Sequence, residues 1–301
     1  MTVVVDADTF AELSRRYRRE LQLHCYRMLG SAELAEEHVQ EVFLRAWRGR
    51  DGFEERASAR TWLYRIATNA CLDTLRRAEP SLQPYPDQLL DDAPGPDAVA
   101  VGRETVSLAF MAAIRLLPPR QRAVFVLRDV LAFSAAEAAG LLGIGVTAAN
   151  SALQRARETL RGRWPGGRLQ WPARGGDAAE REIVRRYIEA HESADPEKLI
   201  ALLSRDVRLS IEPGAGVWDG RDPVAAGLRE GMNTPGAWRM VPTAANRQPA
   251  VAAYVRAAGA GTYRAFAIIV LRVEDGRLAG IDAWEEPALF TRFGLPDSSQ
   301  P

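Results

Sequence analysis

Hydrophobic residues recur every three or four positions through the first 77 residues, which is the spacing of amphipathic helices. Three such series predict three helices: Phe10, Leu13, Tyr17, Leu21 and Tyr26; Val39, Val42, Phe43, Ala46 and Trp47; Leu63, Ile66, Ala67, Ala70, Cys71 and Leu75. Gly30 with Ser31, and Asp51 with Gly52, mark helix ends between the series. The pattern predicts an all-α domain over residues 10–77.

The spacing of hydrophobic positions over residues 105–163 predicts a second all-α domain. Ser134 and Glu137 have the spacing of a capping box that starts a short helix. A turn with Gly143 and Gly145 follows, and a longer helix with an exposed polar face begins after it. This arrangement is typical of a DNA-binding helix-turn-helix, although it also occurs in structural helix bundles.

The pattern changes after residues 164–177, where four glycines and two prolines predict a linker. Over residues 178–296, one amphipathic helix is followed by segments in which apolar and polar residues alternate. The pair Asp275-Gly276 predicts a hairpin turn between two of them. We therefore expect an α+β domain with a curved sheet packed on its helices. The predicted fold class is multidomain: two all-α domains and then an α+β domain.

The composition is that of an ordinary globular protein, since 47% of the 301 residues are hydrophobic and 26% are charged. No apolar stretch is long enough for a membrane helix, and the first ten residues lack a basic signal-peptide start. We therefore expect a cytoplasmic protein without a membrane partner. Cys25 and Cys71 lie in apolar helical patterns and are expected in the core. The three histidines are scattered, so neither a metal nor a cofactor is expected.

The net charge of zero hides three charged zones. Residues 60–77 carry a net charge of +3 (four arginines against one aspartate), and residues 111–163 carry +5 (eight arginines against three acids). Residues 78–104 carry −5 (six acids against one arginine) and contain five prolines, which predicts an extended, solvated linker. Nearly all of the positive charge is arginine, with Lys198 as the only lysine, which most simply reflects a GC-rich genome and is not by itself a sign of DNA binding.

Three blocks of sequence resemble a known family. The blocks are AEEHVQEVFLRAW at 35–47, RTWLYRIATNACLDTLRR at 60–77 and LPPRQRAVF at 117–125. The first two resemble region 2 of bacterial sigma factors of the extracytoplasmic-function (ECF) class. The third, with the helix-turn-helix after it, resembles region 4 of that class. Residues 178–296 are similar to the SnoaL-like domain, a cone-shaped NTF2-type fold that is fused to some of these sigma factors.

The resemblance implies a role for each polar helix face. Residues implied to face the −10 element are Arg60, Trp62, Arg65, Asn69, Arg76 and Arg77. Residues implied to meet the −35 element are Thr147, Asn150, Ser151, Gln154, Arg155 and Arg157. Residues implied to bind the β′ clamp helices of core RNA polymerase are Glu36, Glu37, Gln40, Glu41 and Arg45. Without the resemblance, Trp62 fits a core position equally well, and the acidic run fits a solvated helix face.

A pocket is expected in the C-terminal domain. Its candidate lining residues are Tyr187, His191, Trp218, Trp238, Phe266 and Trp284. Because SnoaL-like folds include small-molecule cyclases and isomerases, His191, Asp206 and Asp282 are candidates for acid-base chemistry. A lone histidine on an apolar helix face is more often a packed core residue, so catalysis is not the expected role. The sequence leaves open whether this domain binds a small-molecule ligand.

The leading interpretation is a specificity subunit and not an enzyme. It is an ECF sigma factor that directs promoter recognition and transcription initiation, with core RNA polymerase and promoter DNA as partners and with modulation by the SnoaL-like domain. One alternative is a small-molecule enzyme or ligand sensor of the SnoaL-like type whose helical half regulates its own gene. Another is a plain helix-turn-helix repressor, which leaves residues 10–77 without a role.

Overall fold

A computed structural model describes residues 6–50, 58–90, 106–163, 178–214, 216–232 and 237–299. The chain divides into two compact units. The helical unit comprises Met1–Tyr85 and Leu89–Pro172, and the sheet unit comprises Pro86–Gln88 and Ala173–Pro301. The predicted fold class, helical modules followed by an α+β domain, is confirmed. The predicted linker at 164–177 lies outside the described residues.

Within its described residues, the helical unit contains seven α-helices: α1 (Ala7–Leu29), α2 (Ala32–Arg48), α3 (Ala59–Leu75), α4 (Leu108–Arg115), α5 (Pro119–Phe125), α6 (Ala135–Leu142) and α7 (Val146–Arg163). A π-helical turn, Val126–Val130, continues α5. The side chains of Asp6, Ser31 and Ser58 cap α1, α2 and α3 by accepting a backbone N–H three residues later. Gly30 ends α1 with φ of 74°, a left-handed conformation that glycine adopts without strain.

The two predicted helical modules share one hydrophobic core. Buried side chains of α1 to α3 and of α4 to α7 belong to a single cluster. Where the modules meet, the ring centroids of Tyr64 on α3 and Phe133, just before α6, are 5.3 Å apart. The two modules are therefore one packed unit in this structure, and not two bodies held apart by a loose tether.

The prediction of a solvated linker over 78–104 is wrong for its first part. Tyr85 is buried, and its ring centroid lies 4.7 Å from that of Tyr26. The backbone N–H of Gln83 donates to the carbonyl of Gly30 at 2.8 Å, and the Tyr26 hydroxyl donates to the carbonyl of Gln83 at 2.9 Å. The prediction rested on net charge and proline content, which do not show that Tyr85 and Gln83 contact α1 and its C-terminal end. The remainder, 91–104, lies outside the described residues.

The described part of the sheet unit contains four α-helices and seven strands: α8 (Ala178–Glu192), α9 (Pro196–Ile200), β1 (Leu203–Glu212), β2 (Gly216–Asp219), α10 (Arg221–Gly231), β3 (Ala237–Ala245), β4 (Gln248–Arg256), β5 (Tyr263–Glu274), β6 (Arg277–Trp284), α11 (Leu289–Arg292) and β7 (Ser298–Ser299). The strand order is β2-β1-β6-β5-β4-β3, and β7 pairs with β5. Strands β1 and β6 are parallel, and the other pairs are antiparallel. The core of this unit lies between α8 to α10 and one face of the sheet.

Candidate functional site

The helix-turn-helix is formed by α6, a turn and α7. The predicted capping box is confirmed, because the N–H of Glu137 donates to Ser134 Oγ at 3.2 Å while the N–H of Ser134 donates to the Glu137 carboxylate at 2.8 Å. Gly143 ends α6 with φ of 62°. The buried stripe of α7 consists of Ala149, Ala152, Leu153, Ala156 and Leu160. Packing of this stripe fixes the rotation of α7, so that its polar side faces solvent.

The six residues predicted for the −35 element all lie on α7, and five are exposed while Ser151 is half-buried. Arg157 is held by Asp129 of the π-helical turn, to which its Nη2 and Nε donate at 2.7 and 2.8 Å. These hydrogen bonds raise the pKa of Arg157 and brace α7. Gln154 donates to Glu158 at 3.0 Å. Of these six residues, Arg157 and Gln154 are thus engaged with acidic side chains of the protein itself.

Four of the six residues predicted for the −10 element are exposed. Arg65 and Asn69 lie one turn apart on the outer side of α3, and Arg76 and Arg77 follow its C-terminal end. Arg76 forms an ion pair with Asp73. The exposed groups combine arginines, which can neutralise phosphates, with an amide that can hydrogen-bond an unstacked base.

Trp62 and Arg60 differ from the prediction. Trp62 is 8% exposed and belongs to the shared core, so its indole is not available to a base in this structure. Arg60 lies over the rings of Tyr64 and Phe133, 5.0 and 4.7 Å from their centroids, and pairs with Glu20 at 3.4 Å. For Arg60, the physical reason is its contact with Phe133, which lies in the second module and cannot be inferred from the sequence of α3 alone.

Arg122 was missed as a structural residue by the sequence analysis. Its side chain is fully buried, and Nη1 donates to the carbonyl of Met28 at 2.7 Å. Nη1 and Nη2 donate to the two carboxylate oxygens of Glu79 at 2.8 and 3.1 Å, and Nη2 also donates to the carbonyl of Arg115 at 2.9 Å. This arginine therefore joins α5 to the C-terminal end of α1 and to the chain after α3. In the sequence, this burial is indicated by the spacing of Arg122 three residues before Phe125, which places both residues on the inward side of α5.

The residues predicted to bind polymerase lie together along one side of α2. Glu36, Glu37, Gln40 and Arg45 are exposed, and Glu41 is half-buried. Arg45 donates to Glu41 at 2.7 Å, which lowers the pKa of Glu41. Leu44 lies among these groups and is 52% exposed. The sequence analysis did not single it out, and singly exposed apolar residues are common on protein surfaces.

The predicted pocket of the sheet unit is a packed aromatic cluster. Ring centroids are 4.4 Å apart for Tyr187 and His191, 6.3 Å for His191 and Trp238, and 5.4 Å for Trp238 and Phe266. His191 Nδ1 donates to the carbonyl of Tyr187 at 3.1 Å, and burial lowers the pKa of His191 to about 4. Trp218 packs against the same core. This histidine is a packed residue.

Trp284 does not belong with the other predicted pocket residues. Its neighbours Ile281 and Ala283 belong to the core on the helix-covered face of the sheet. Because side chains alternate along β6, Asp282 and Trp284 lie on the opposite face, and Trp284 is not part of that core. Asp282 accepts a hydrogen bond from Ser210 at 2.5 Å, and burial raises its pKa. Asp206 is exposed on β1. The three acid-base candidates are thus not brought together.

A cavity of about 450 Å³ lies elsewhere in the sheet unit, between α8 and the β3–β4 hairpin. None of the six predicted pocket residues lines it. Its lining residues are Asp87, Glu180, Arg181, Val184, Arg185, Ile188, Pro242, Thr243, Ala244, Arg247, Gln248 and Pro249. The position of this cavity depends on tertiary packing at the end of the sheet, so no local sequence pattern indicated it.

A short piece of the predicted acidic linker is held by the sheet unit. Pro86 forms an antiparallel bridge with Ala245 at the end of β3. The carboxylate of Asp87 accepts the backbone N–H of Arg247 at 2.8 Å, and the side-chain amide of Gln88 donates to the carbonyl of Arg292 at 3.1 Å. We call Pro86–Gln88 the tied segment.

Among the described residues, no group of three or more His, Cys, Asp or Glu is placed to hold a metal ion. Cys25 and Cys71 are both buried, as predicted. No helix in the described parts of the chain is long and apolar enough to cross a membrane.

Comparison with known proteins decides the family. Three family models match: Sigma-70 region 2 over residues 13–80, Sigma-70 region 4 over 107–160 and a SnoaL-like domain over 184–281. The ECF RNA polymerase sigma factor SigG of Mycobacterium tuberculosis is 38% identical over 316 aligned positions, which cover 96% of this chain and 84% of that protein. The chain belongs to the ECF RNA polymerase sigma factors. The resemblance inferred from the three sequence blocks and the C-terminal segment is confirmed.

Two further similarities agree with this family. The ECF sigma factor SigW of Bacillus subtilis is 34% identical over 168 positions, which cover 52% of this sigma factor and 89% of SigW. The crystal structure of the extracytoplasmic-function sigma factor SigJ of Mycobacterium tuberculosis has a TM-score of 0.63 at 24% identity, covering 95% of this chain and 99% of that one. The SigJ similarity shows a shared fold. As a member of the family, this sigma factor directs promoter recognition and transcription initiation by RNA polymerase.

Proposed function

We propose that this sigma factor reads the −35 element with α7, holds the −10 element with the outer side of α3 and binds the β′ clamp helices with the polar side of α2. The observation that carries the proposal is the polar side of α7, which is presented to solvent by a fully packed helix-turn-helix. A helix held in this way can enter the major groove without rearranging its own module.

Binding of α7 to an isolated −35 site is expected to be weak. Arg157 is engaged with Asp129, which leaves Arg155 as the arginine in the middle of the proposed reading surface. Each phosphate contact contributes about one unit to the slope of log affinity against log salt. Promoter binding therefore relies on attachment to polymerase and on simultaneous contact with both elements.

The arrangement within the helical unit supports a closed state that opens during function. Arg60 lies against the ring of Phe133, and Arg122 joins α5 to Glu79. For Trp62 to reach the −10 element, the shared core that buries it has to open. We infer that binding to polymerase core and promoter supplies the free energy for this opening.

Modulation by the sheet unit is supported by the tied segment. Pro86–Gln88 lie between α3 and α4 along the chain, but they are held by a bridge and two hydrogen bonds within the sheet unit. While these contacts last, they restrict how far the chain between α3 and α4 can extend. Loss of the contacts should therefore favour separation of the two helical modules.

We propose that no chemical step is involved. Strand separation can draw on the binding energy that is released when unstacked bases are captured. His191 packs in the aromatic cluster while Asp282 is bonded to Ser210, and this arrangement does not support acid-base catalysis in the sheet unit.

Transcription in vitro with purified core RNA polymerase and a cognate promoter tests the proposal. The native protein should support initiation, and the double variant Asn150→Ala, Arg155→Ala should lose about 90% or more of it while still binding core, since each lost contact costs about 1 kcal/mol or more. Arg205→Ala, an exposed arginine of the sheet unit, is the matched control and should be active. Full activity of the double variant would refute the role of α7.

A further inference from the structure

The cavity between α8 and the β3–β4 hairpin has apolar surface on both sides. Val184 and Ile188 lie one turn apart on α8 and line one side. On the other side, Pro242 and Ala244 lie two residues apart on β3, and Pro249 of β4 is the pairing partner of Ala244. The volume of about 450 Å³ is in the usual range for sites that bury a small molecule. Hydrocarbon can therefore be buried between the helix and the hairpin.

The charged residues of the wall already have partners within the protein. Arg185 donates to Glu182 at 2.7 and 2.9 Å and to Glu189 at 3.2 Å, so its charge is matched by two carboxylates of α8 itself. The Asp87 carboxylate accepts the backbone N–H of Arg247 at 2.8 Å. The lining residues that interact with further groups of the protein include Glu180, Arg181 and Arg247. None of the five charged residues that line the cavity is thus without a partner.

This state of the wall determines which ligands it suits. An ion of either sign that enters the cavity gives up part of its hydration and meets no unpartnered charge in return, which is unfavourable. An uncharged molecule does not meet this cost, and its affinity comes from the apolar surface that it buries. The wall therefore discriminates against charge and not between charges of opposite sign.

We propose that this cavity binds a small uncharged molecule with a mainly hydrocarbon body, which lies between Val184 and Ile188 on one side and the prolines of the hairpin on the other. Asp87 of the tied segment is part of the same wall. The cavity is complete only while the tied segment is held, so a bound ligand and the held segment stabilise each other. The effect on transcription rests on the proposed modulation by the sheet unit, but binding itself does not.

Calorimetric titration of the full-length protein, without polymerase, tests the site with 1-octanol as the probe. Octanoate and octylammonium are its charged counterparts of the same chain length. We expect one octanol per chain, and both ions should bind at least about fivefold more weakly. The shorter 1-hexanol should bind about tenfold more weakly than 1-octanol, because two fewer methylenes are buried.

Substitutions that fill the cavity locate the binding site. Val184→Trp on α8 and Ala244→Trp on β3 should each remove octanol binding, and circular dichroism checks that each variant is folded. Val217→Trp is the matched control, because Val217 is exposed on β2 and lies outside the cavity, and it should bind octanol as the native protein does.

Four results would overturn the proposal. These are absence of octanol binding to the native protein, an ion that binds as tightly as octanol, equal binding of hexanol and octanol, and octanol binding that survives in both folded cavity-filling variants. The first three need only the native protein, so the proposal can fail even where a variant does not fold.

The coupling to the tied segment has its own test. The backbone N–H of Arg247 is bonded to Asp87, so its hydrogen exchange requires release of the tied segment. Saturating octanol should slow this exchange several-fold in the native protein, and unchanged exchange would overturn the coupling. Because titration and exchange contain no polymerase, a failure of the site is distinguishable from a failure of the proposed modulation of transcription.

Discussion

The two helices proposed to read DNA differ in how much of their reading surface is accessible. On α7, the predicted polar residues face solvent, and the helix is braced from behind by its own module. On α3, the polar residues of the C-terminal half are accessible, but Trp62 is in the core and Arg60 lies against Phe133 of the other module. The comparison indicates that the surface proposed for the −35 element is accessible in this structure, whereas Trp62 of the surface proposed for the −10 element is not.

The largest expected effect concerns Arg122, which joins α5 to α1 and to the chain after α3. Arg122→Ala should lower the free energy of unfolding by about 3 kcal/mol or more, because it removes a fully buried side chain, leaves the buried carbonyl of Met28 without this donor and leaves Glu79 with Arg115 as its partner. Urea unfolding followed by helical circular dichroism measures it. Arg155→Ala on α7 is the matched control and should change the free energy by less than about 0.5 kcal/mol. Similar values for the two variants would contradict the assigned roles.

Acid should weaken the packing beneath α3. His24 is buried against Tyr64, bonds Thr68 at 2.9 Å and has its pKa lowered by burial to about 3. Because the unfolded chain takes up this proton near pH 6.5, the stabilisation is complete above that pH and is lost as the pH falls toward 3, by up to about 1.4 kcal/mol per unit. His24→Gln should flatten the dependence of unfolding free energy on pH over that range. An unchanged slope would contradict the burial of a neutral histidine.

The accessible half of α3 should affect promoter opening more than core binding. Asn69→Ala removes an exposed amide and should slow open-complex formation about tenfold, which corresponds to about 1.4 kcal/mol. Permanganate reactivity of promoter thymines measures opening, and fluorescence anisotropy measures core binding. Equal loss in both measurements would place Asn69 outside the DNA surface.

The smallest effect is expected from single changes on α7. Arg155→Ala should reduce the slope of log promoter affinity against log salt by about one unit, because one phosphate contact is lost. Arg157→Ala should change this slope less, since Arg157 is engaged with Asp129. The measurement is binding of the holoenzyme to promoter DNA at several salt concentrations. A larger change for Arg157 than for Arg155 would reverse the assignment on this helix.

Local patterns predicted the local features well. The capping box of Ser134 and Glu137, the polar side of α7 and the Asp275-Gly276 hairpin are each fixed by a few neighbouring residues, and all three occur in the structure. Helical periodicity also separated the buried stripe of α7 from its exposed face. These features depend on short-range backbone and hydrogen-bond preferences that tertiary packing did not override.

Features that depend on distant partners could not be predicted in this way. The position of Arg60 depends on its contact with Phe133, and the burial of Arg122 depends on Glu79 and Met28, which are far away in sequence. In the sheet unit, the choice of Trp284 as a pocket residue was wrong because a shift of one position along β6 exchanges the two faces. The cavity involves the tied segment, α8 and the β3–β4 hairpin, three separate parts of the chain.

The separation of the two helical modules can be measured directly. Labels at Glu12→Cys on α1 and Glu158→Cys on α7 are at exposed positions, and the native Cys25 and Cys71 are buried. The distance between the labels, measured by electron spin resonance in the free protein and with core polymerase, should lengthen on binding, while a control pair at Glu12→Cys and Ala78→Cys should keep its distance. An unchanged α1–α7 distance in a complex that transcribes would contradict the opening of the helical unit.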